Sequence, residues 1–112
     1  MSNYTTQELN AMLSHPDATV VEIAADILVA RLVQADDWET LRDKWSVSNW
    51  IFRSSVAYFV KDPDFLNEMV DEEESEYVLE VIAQNCHTRD ETYARIEEKV
   101  KLLNNVTVNN YR

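Results

Sequence analysis

The sequence predicts an all-α fold, a compact single-domain bundle of five to seven short helices. The chain has 112 residues, which suits one domain and is short for two independent cores. Apolar residues recur at spacings of three and four along most of its length, and capping residues precede these segments. With 46% hydrophobic residues, such a chain can bury a core without disulfide or metal cross-links.

The first helix is predicted from a capping box at Thr5–Glu8, where the Thr and Glu side chains can each bond the other's backbone N–H. Leu9, Met12 and Leu13 follow at helical spacing, and Pro16 stops the helix.

A second capping box, Thr19–Glu22, predicts the next helix, which we expect to run to about Ala35. The segment is apolar on nearly all sides. One side carries Val20, Ile23, Ile27 and Ala30, and another carries Val21, Ala24, Leu28 and Leu32. Such a helix is either central in the bundle or shared with a second subunit.

Asp37 can cap a third helix that places Trp38, Leu41 and Trp45 on one face. The following segment, 50–60, is rich in aromatic and β-branched residues, which would also suit a strand. Because no hairpin dipeptide lies nearby, we predict a helix here.

Asp62–Pro63 predicts the start of the next helix, with Asp as the cap and Pro in the first turn. Ser75 can cap a separate helix, or segment 63–84 can form one continuous helix. The side chains predicted to face inward are Phe65, Leu66, Met69, Val70, Tyr77, Val78, Val81 and Ile82.

A third capping box, Thr88–Glu91, predicts the last helix. Its inward positions are Tyr93, Ile96, Val100 and Leu103. Asn85 and Asn104–Asn105 stand where Gly usually ends a helix, and Asn is the next best residue for a left-handed turn. We therefore predict one helical domain over 1–105 and a loose or extended tail over 106–112.

Composition excludes many functional classes. Because the chain has no glycine, it has no P-loop, no dinucleotide-binding glycine turn, no nucleophile elbow and no ordinary EF-hand loop. The one cysteine, Cys86, precludes an internal disulfide and fits a reducing compartment. With no visible signal peptide, we expect a cytoplasmic protein. The apolar segment 20–33 contains three charged residues and is too short to cross a membrane.

Catalysis and metal binding find little support in the residue inventory. Cys86 and His87 are adjacent, a spacing that seldom aims a thiol at an imidazole, and no orienting group or oxyanion donor is apparent. His15 and His87 are the only histidines, and neither lies in a Glu-x-x-His or His-x-x-x-His pair. We expect no enzyme activity, no metal site and no cofactor.

The acidic residues concentrate in one segment. The formal net charge is −11, and no basic residue lies between Lys61 and Arg89, an interval that holds nine acids. Five of these acids follow one another at intervals of four: Asp64, Glu68, Glu72, Glu76 and Glu80. On one continuous helix they would form a row whose like charges repel by roughly 0.2–0.5 kcal/mol per pair.

Two interpretations of this segment remain open. The acids can form a solvated face that keeps the chain soluble, or a face that binds a partner. If Ser75 starts a new helix, Glu76 is favourably placed in its first turn and the row loses its continuity. The residues predicted to bind a partner are Asp64, Glu68, Asp71, Glu72, Glu73, Glu76 and Glu80.

An acidic face repels free nucleic acid and attracts proteins that grip nucleic acid. In size and composition the chain resembles the small acidic inhibitors by which phages block host restriction or nuclease systems, and the immunity proteins that neutralise nuclease toxins. The first hypothesis is therefore a stoichiometric inhibitor that occupies the basic nucleic-acid-binding surface of an enzyme by charge mimicry. It binds neither nucleic acid nor membrane directly.

The alternative hypothesis is a helical adaptor or self-assembling structural protein, with a possible homodimer. In that case the partner face is the apolar helix 20–34 together with Trp38, Trp45 and Trp50, and the acids serve solubility alone. Tryptophan is enriched at interface hot spots but also fills cores, so the sequence leaves the role of this cluster open.

Overall fold

The computed structural model describes residues 4–110, with the side chains of 46–47 and 105–110 excepted. This part of the chain forms seven α-helices and no β-strand, which confirms the all-α prediction. The helices are α1 (Thr6–Met12), α2 (Ala18–Gln34), α3 (Trp38–Val47), α4 (Trp50–Phe59), α5 (Pro63–Glu72), α6 (Glu76–Gln84) and α7 (Asp90–Asn110).

The helices fall into two compact units, Met1–Phe59 and Val60–Arg112. In the first unit α2 is central, because α1, α3 and α4 all pack against it and α4 does so most extensively. The core of this unit consists of Leu9, Val21, Ala24, Ala25, Leu28, Val29, Leu41, Trp45, Phe52, Val56 and Ala57.

The second unit is a three-helix arrangement in which α5, α6 and α7 pack pairwise. Its core consists of Val60, Phe65, Leu66, Met69, Val70, Val78, Leu79, Ile82 and Ile96. The four inward positions predicted on α5 are all buried. On the other two helices, Tyr77 of α6 and Tyr93 of α7 were predicted to face inward but are about half exposed.

Most helix starts follow the predicted capping residues. Thr5 and Glu8 form the predicted box, with each side chain bonded to the backbone N–H of the other residue. Asp37, Asp62 and Ser75 accept hydrogen bonds from backbone N–H groups as the caps of α3, α5 and α6. Segment 63–84 is therefore two helices, separated by three residues.

Two of the predicted capping boxes are wrong. The cap of α2 is Asp17, whose carboxylate accepts from the Thr19 N–H, so the helix begins before the predicted Thr19 cap. At α7 the Thr88 hydroxyl donates to the Ile82 carbonyl at 2.6 Å, so Thr88 secures the end of α6 and does not cap α7. In both cases a nearby polar group offers a better-placed bond than the box would.

Predicted helix ends differ more from the structure. Asn85 ends α6 with extended backbone (φ −70°), and its side chain donates to the Val60 carbonyl. The left-handed residue is Asp36, with φ 53°, between α2 and α3. The predicted stop at Asn104–Asn105 is wrong, because α7 continues to Asn110, so the predicted extended tail is helical that far. Its last two positions, 111–112, lie outside the described residues. The single domain predicted over 1–105 stays a prediction.

The tryptophans have different surroundings. Trp45 is buried, Trp38 is half-buried and Trp50 is 51% exposed. The three tryptophans therefore differ in burial and do not form one uniform core or surface cluster. No helix in the described range 4–110 is both long and apolar enough to cross a membrane.

Candidate protein-binding surface

The acidic segment bends at a corner between α5 and α6. The backbone leaves the α-helical conformation at Glu73 (ψ 128°), and Ser75 caps the new helix. Consequently the row of acids at four-residue spacing is broken after Glu72. Asp64, Glu68 and Glu72 lie on α5, and Glu76 and Glu80 lie on α6.

Two of the candidate acids on α5 are paired with bases, one directly before α7 and one on it. The Arg89 guanidinium lies 2.8 Å from the Asp64 carboxylate, and Arg95 forms an ion pair with Asp71. Arg95 also donates to the Asn67 side-chain oxygen at 2.6 Å. These bases follow the acids by about 25 positions in sequence, so the local absence of bases in the segment does not persist in three dimensions.

A second base of α7 binds the end of α5. Lys99 Nζ donates to the backbone carbonyls of Val70 and Asp71, at 2.6 and 3.0 Å. These carbonyls belong to the last turn of α5, where the helix dipole is negative and no base is present on the helix itself. Lys99 therefore supplies the positive charge that this helix end lacks.

Glu73 is buried, with 1% of its surface exposed, although the sequence places it among the acids predicted to bind a partner. Its carboxylate accepts a hydrogen bond from the Ser75 N–H at 3.1 Å. Ser75 in turn caps α6 by accepting from the Val78 N–H. Glu73 thus shapes the corner and does not reach a partner's surface.

The exposed acids that remain around this bend are Glu72, Glu74, Glu76 and Glu80, which we call the acidic corner. Within residues 4–110, no ion pair or hydrogen bond joins these four carboxylates to a cation. Glu68, earlier on α5, is also exposed and takes part in an interaction of its own. The acidic corner is therefore the uncompensated part of the acidic segment.

The placement of these acids is electrostatically mixed. Glu76 lies in the first turn of α6, where the helix dipole favours a negative charge. Glu72 lies in the last turn of α5, where the dipole disfavours it, and Glu80 lies one turn from Glu76, so those two repel. Stability alone accounts for Glu76 but not for Glu72 or Glu80.

Two residues of this surface escape the sequence prediction. Glu74 is absent from the candidate set, although it is exposed beside the bend; the Ser75 cap was the indication that residues 73–75 form a corner. Tyr77 was predicted to face inward, yet 56% of it is exposed, directly after Glu76 and three residues before Glu80. The surface therefore combines carboxylates with one aromatic ring.

Other features of the described chain offer no assembled chemistry. Cys86 and His87 are both exposed in the loop between α6 and α7. Residues 4–110 contain no group of three or more His, Cys, Asp or Glu side chains placed to hold a metal ion. A shallow cavity of about 300 Å³ lies beside Arg95, Lys99 and Leu102, but both of its cations already bind acceptors on α5.

Comparisons with protein-family models, curated proteins and solved structures find no match for this chain.

Proposed function

We propose that the chain is a stoichiometric inhibitor, of the anti-restriction, anti-nuclease or immunity type, that occupies a basic nucleic-acid-binding surface by charge mimicry. The partner is a basic protein, namely a nucleic-acid-binding enzyme, and the contact surface is the acidic corner. The observation that carries the proposal is the set of four exposed carboxylates without a described cationic partner, next to α5 acids that the fold does neutralise.

The corner is suited to this task because its backbone is fixed. The buried Glu73 carboxylate and the Ser75 cap hold the turn, so the neighbouring Glu72, Glu74 and Glu76 project from a defined geometry. Fixed charges lose little conformational freedom on binding, which favours affinity. Lysines and arginines that would otherwise grip phosphates can then pair with these carboxylates.

Charge contributes more to the rate of association than to the lifetime of a complex. Tyr77 lengthens the lifetime of the complex, because a half-exposed tyrosine within an acidic surface can bury apolar area against the partner and still form a hydrogen bond. We therefore expect Tyr77→Ala to increase the dissociation rate of the complex, and Glu76→Gln to decrease the association rate at low salt.

The test uses the full chain, immobilised and exposed to nuclease-treated host lysate. One variant carries Glu72→Gln, Glu76→Gln and Glu80→Gln. A matched control carries Glu39→Gln, Glu97→Gln and Glu98→Gln, three exposed acids elsewhere. Both variants have the same formal net charge of −8, three units less negative than the parent −11, so they separate a local surface from overall acidity.

We expect the parent and the control to retain the same basic proteins and to release them at high salt. The corner variant should not retain these proteins. Each retained protein is then titrated with the parent chain in a duplex-binding assay, where DNA binding should end near equimolar inhibitor. Retention by the corner variant equal to that by the control would contradict the proposal, as would retained proteins that keep binding DNA.

A further inference from the structure

The outer face of α2 and α4 is an apolar surface that the acidic corner does not involve. On the seam between these helices the Ser55 hydroxyl donates to the Asp26 carboxylate. On α2, Ile23 and Ala30 are the helical neighbours of Asp26, three residues before and four after it. Ile23 is 48% exposed and Ala30 is half-buried.

On α4, Ile51 and Tyr58 are the corresponding neighbours of Ser55, four residues before and three after it. Ile51 is half-buried, and Tyr58 is 71% exposed, the largest exposure among the bulky apolar side chains of residues 4–104. The partly exposed residues therefore surround the Asp26–Ser55 bond from both helices. We define the α2–α4 face as Ile23, Ala30, Ile51, Ser54, Tyr58 and Trp50.

This face is nearly free of net charge in a chain of charge −11. Among the seven described helices, α4 is the only one without a carboxylate, and Arg53 is its single charged residue. On α2, Glu22 and Arg31 offset each other formally, and the Asp26 carboxylate, which accepts from Ser55, is offset formally by Arg53 of α4. Two copies of the chain bring fewer carboxylates together here than they would through the acidic corners, so they repel less.

We propose that the α2–α4 face binds a second copy of this chain and forms a two-fold dimer. The pattern on α4 is self-complementary, because Trp50 and Tyr58 lie one turn on either side of the small residue Ser54. With the two-fold axis at Ser54, the helices approach closely and Trp50 of each copy meets Tyr58 of the other. The Tyr58 ring contacts the adjacent Phe59 edge to face, at 5.0 Å between ring centroids.

The size of the face sets the expected strength. Helices of 17 and 10 residues are about 25 and 15 Å long, so their joint outer face covers of the order of 400 Å². This matches a functional surface patch and is smaller than the roughly 800 Å² per partner of a standard interface. We therefore expect a reversible dimer with a dissociation constant in the micromolar range and not an obligate one.

Sedimentation of the full chain between about 1 µM and about 1 mM tests the proposal. We expect a monomer–dimer equilibrium in which Tyr58→Glu and Ile23→Glu each raise the dissociation constant at least about tenfold. The matched controls are Tyr93→Glu and Leu102→Glu, the same changes at exposed residues of α7, and both should dimerise like the parent. Circular dichroism of each variant verifies the fold.

A mixing experiment tests the two-fold geometry. Trp50→Lys and Tyr58→Glu should each weaken self-association, but their mixture forms a heterodimer that keeps one aromatic pair and gains one Lys–Glu pair. The mixture should therefore associate more tightly than either variant alone. Equal association of the mixture and the separate variants would overturn the geometry.

A chain that stays monomeric at every concentration would overturn the proposal and would mean that the α2–α4 face binds a different protein. A dimer that neither face variant weakens would also overturn it. Raising salt from about 50 to about 500 mM should preserve or tighten the dimer, because screening reduces repulsion between two acidic chains. The triple variant at Glu72, Glu76 and Glu80 should dimerise at least as well as the parent, so failure here is distinguishable from failure of the inhibitor proposal.

Discussion

The two halves of the acidic segment differ in what surrounds their carboxylates. On α5, Asp64 pairs with Arg89, which directly precedes α7, and Asp71 pairs with Arg95 of α7, so their charges are balanced within the fold. At the corner and on α6, Glu72, Glu76 and Glu80 have no such partner among the described residues. A run of acids in sequence therefore does not define a charged surface, because helix packing decides which acids stay uncompensated.

The largest expected effect is at Glu73. Comparing it with the adjacent Glu74 distinguishes a buried structural acid from an exposed surface acid. Glu73→Ala removes the acceptor for the Ser75 N–H inside the protein and should lower the free energy of unfolding by about 2 kcal/mol. Glu74→Ala, the exposed neighbour, should change it by less than about 0.5 kcal/mol. Urea unfolding monitored by circular dichroism measures both. Equal effects would mean that Glu73 does not hold the corner.

The next effect concerns the compensated acids of α5. Arg95→Met removes the ion pair with Asp71 and the hydrogen bond to Asn67, and should cost about 1 kcal/mol because the guanidinium is partly exposed. In a double-mutant cycle with Asp71→Asn, we expect a coupling of about 0.5 kcal/mol. A coupling near zero would show that α7 does not neutralise α5, and the contrast between the two halves would disappear.

A smaller effect of opposite sign is expected at Glu72. Glu72→Gln removes a negative charge from the last turn of α5, where the helix dipole disfavours it, and should raise the free energy of unfolding by about 0.3 kcal/mol. The adjacent change Asp71→Asn should lower it, because Asp71 has Arg95 as a partner. Thermal unfolding of the two variants at low salt compares them directly. A loss of stability in both would place Glu72 among the structural acids.

The sequence predicted the helices well, but it did not indicate which acids the fold pairs with bases and which it buries. Side-chain caps such as Thr5, Asp37, Asp62 and Ser75 act within one turn, so local sequence determines them. The pairing of Arg89 and Arg95 with α5 depends on how α7 packs, and no local pattern encodes it. The burial of Glu73 has the same origin.

Helix ends show the same division between local and distant causes. Asn85 was expected to adopt a left-handed conformation, but its side chain instead binds the Val60 carbonyl, 25 positions earlier. Such a partner is invisible to a rule based on neighbouring residues. The apolar pattern of α2 left two alternatives open, a helix central in the bundle or one shared with a second subunit; α2 is central in its unit, and Ile23 stays 48% exposed.

The smallest effect concerns Glu8, an exposed acid whose partner is a backbone N–H group and not a base. Its carboxylate accepts from the Thr5 backbone N–H, which lowers the pKa of Glu8 below its usual 4.5, and the neighbouring Thr5 hydroxyl lowers this pKa further. A lowered folded-state pKa means that the stabilising contribution is fully present above the unfolded value and is lost as pH falls through the folded value. The capping box should therefore weaken only below about pH 4.5, a loss that an NMR titration of the Glu8 side chain would follow.

Thr5→Ala should move the Glu8 pKa part of the way back up, because the backbone N–H remains as a donor. An unchanged pKa in that variant would assign the whole shift to the backbone bond and would make Glu8 an acid stabilised by one helix end alone, unlike either half of the acidic segment.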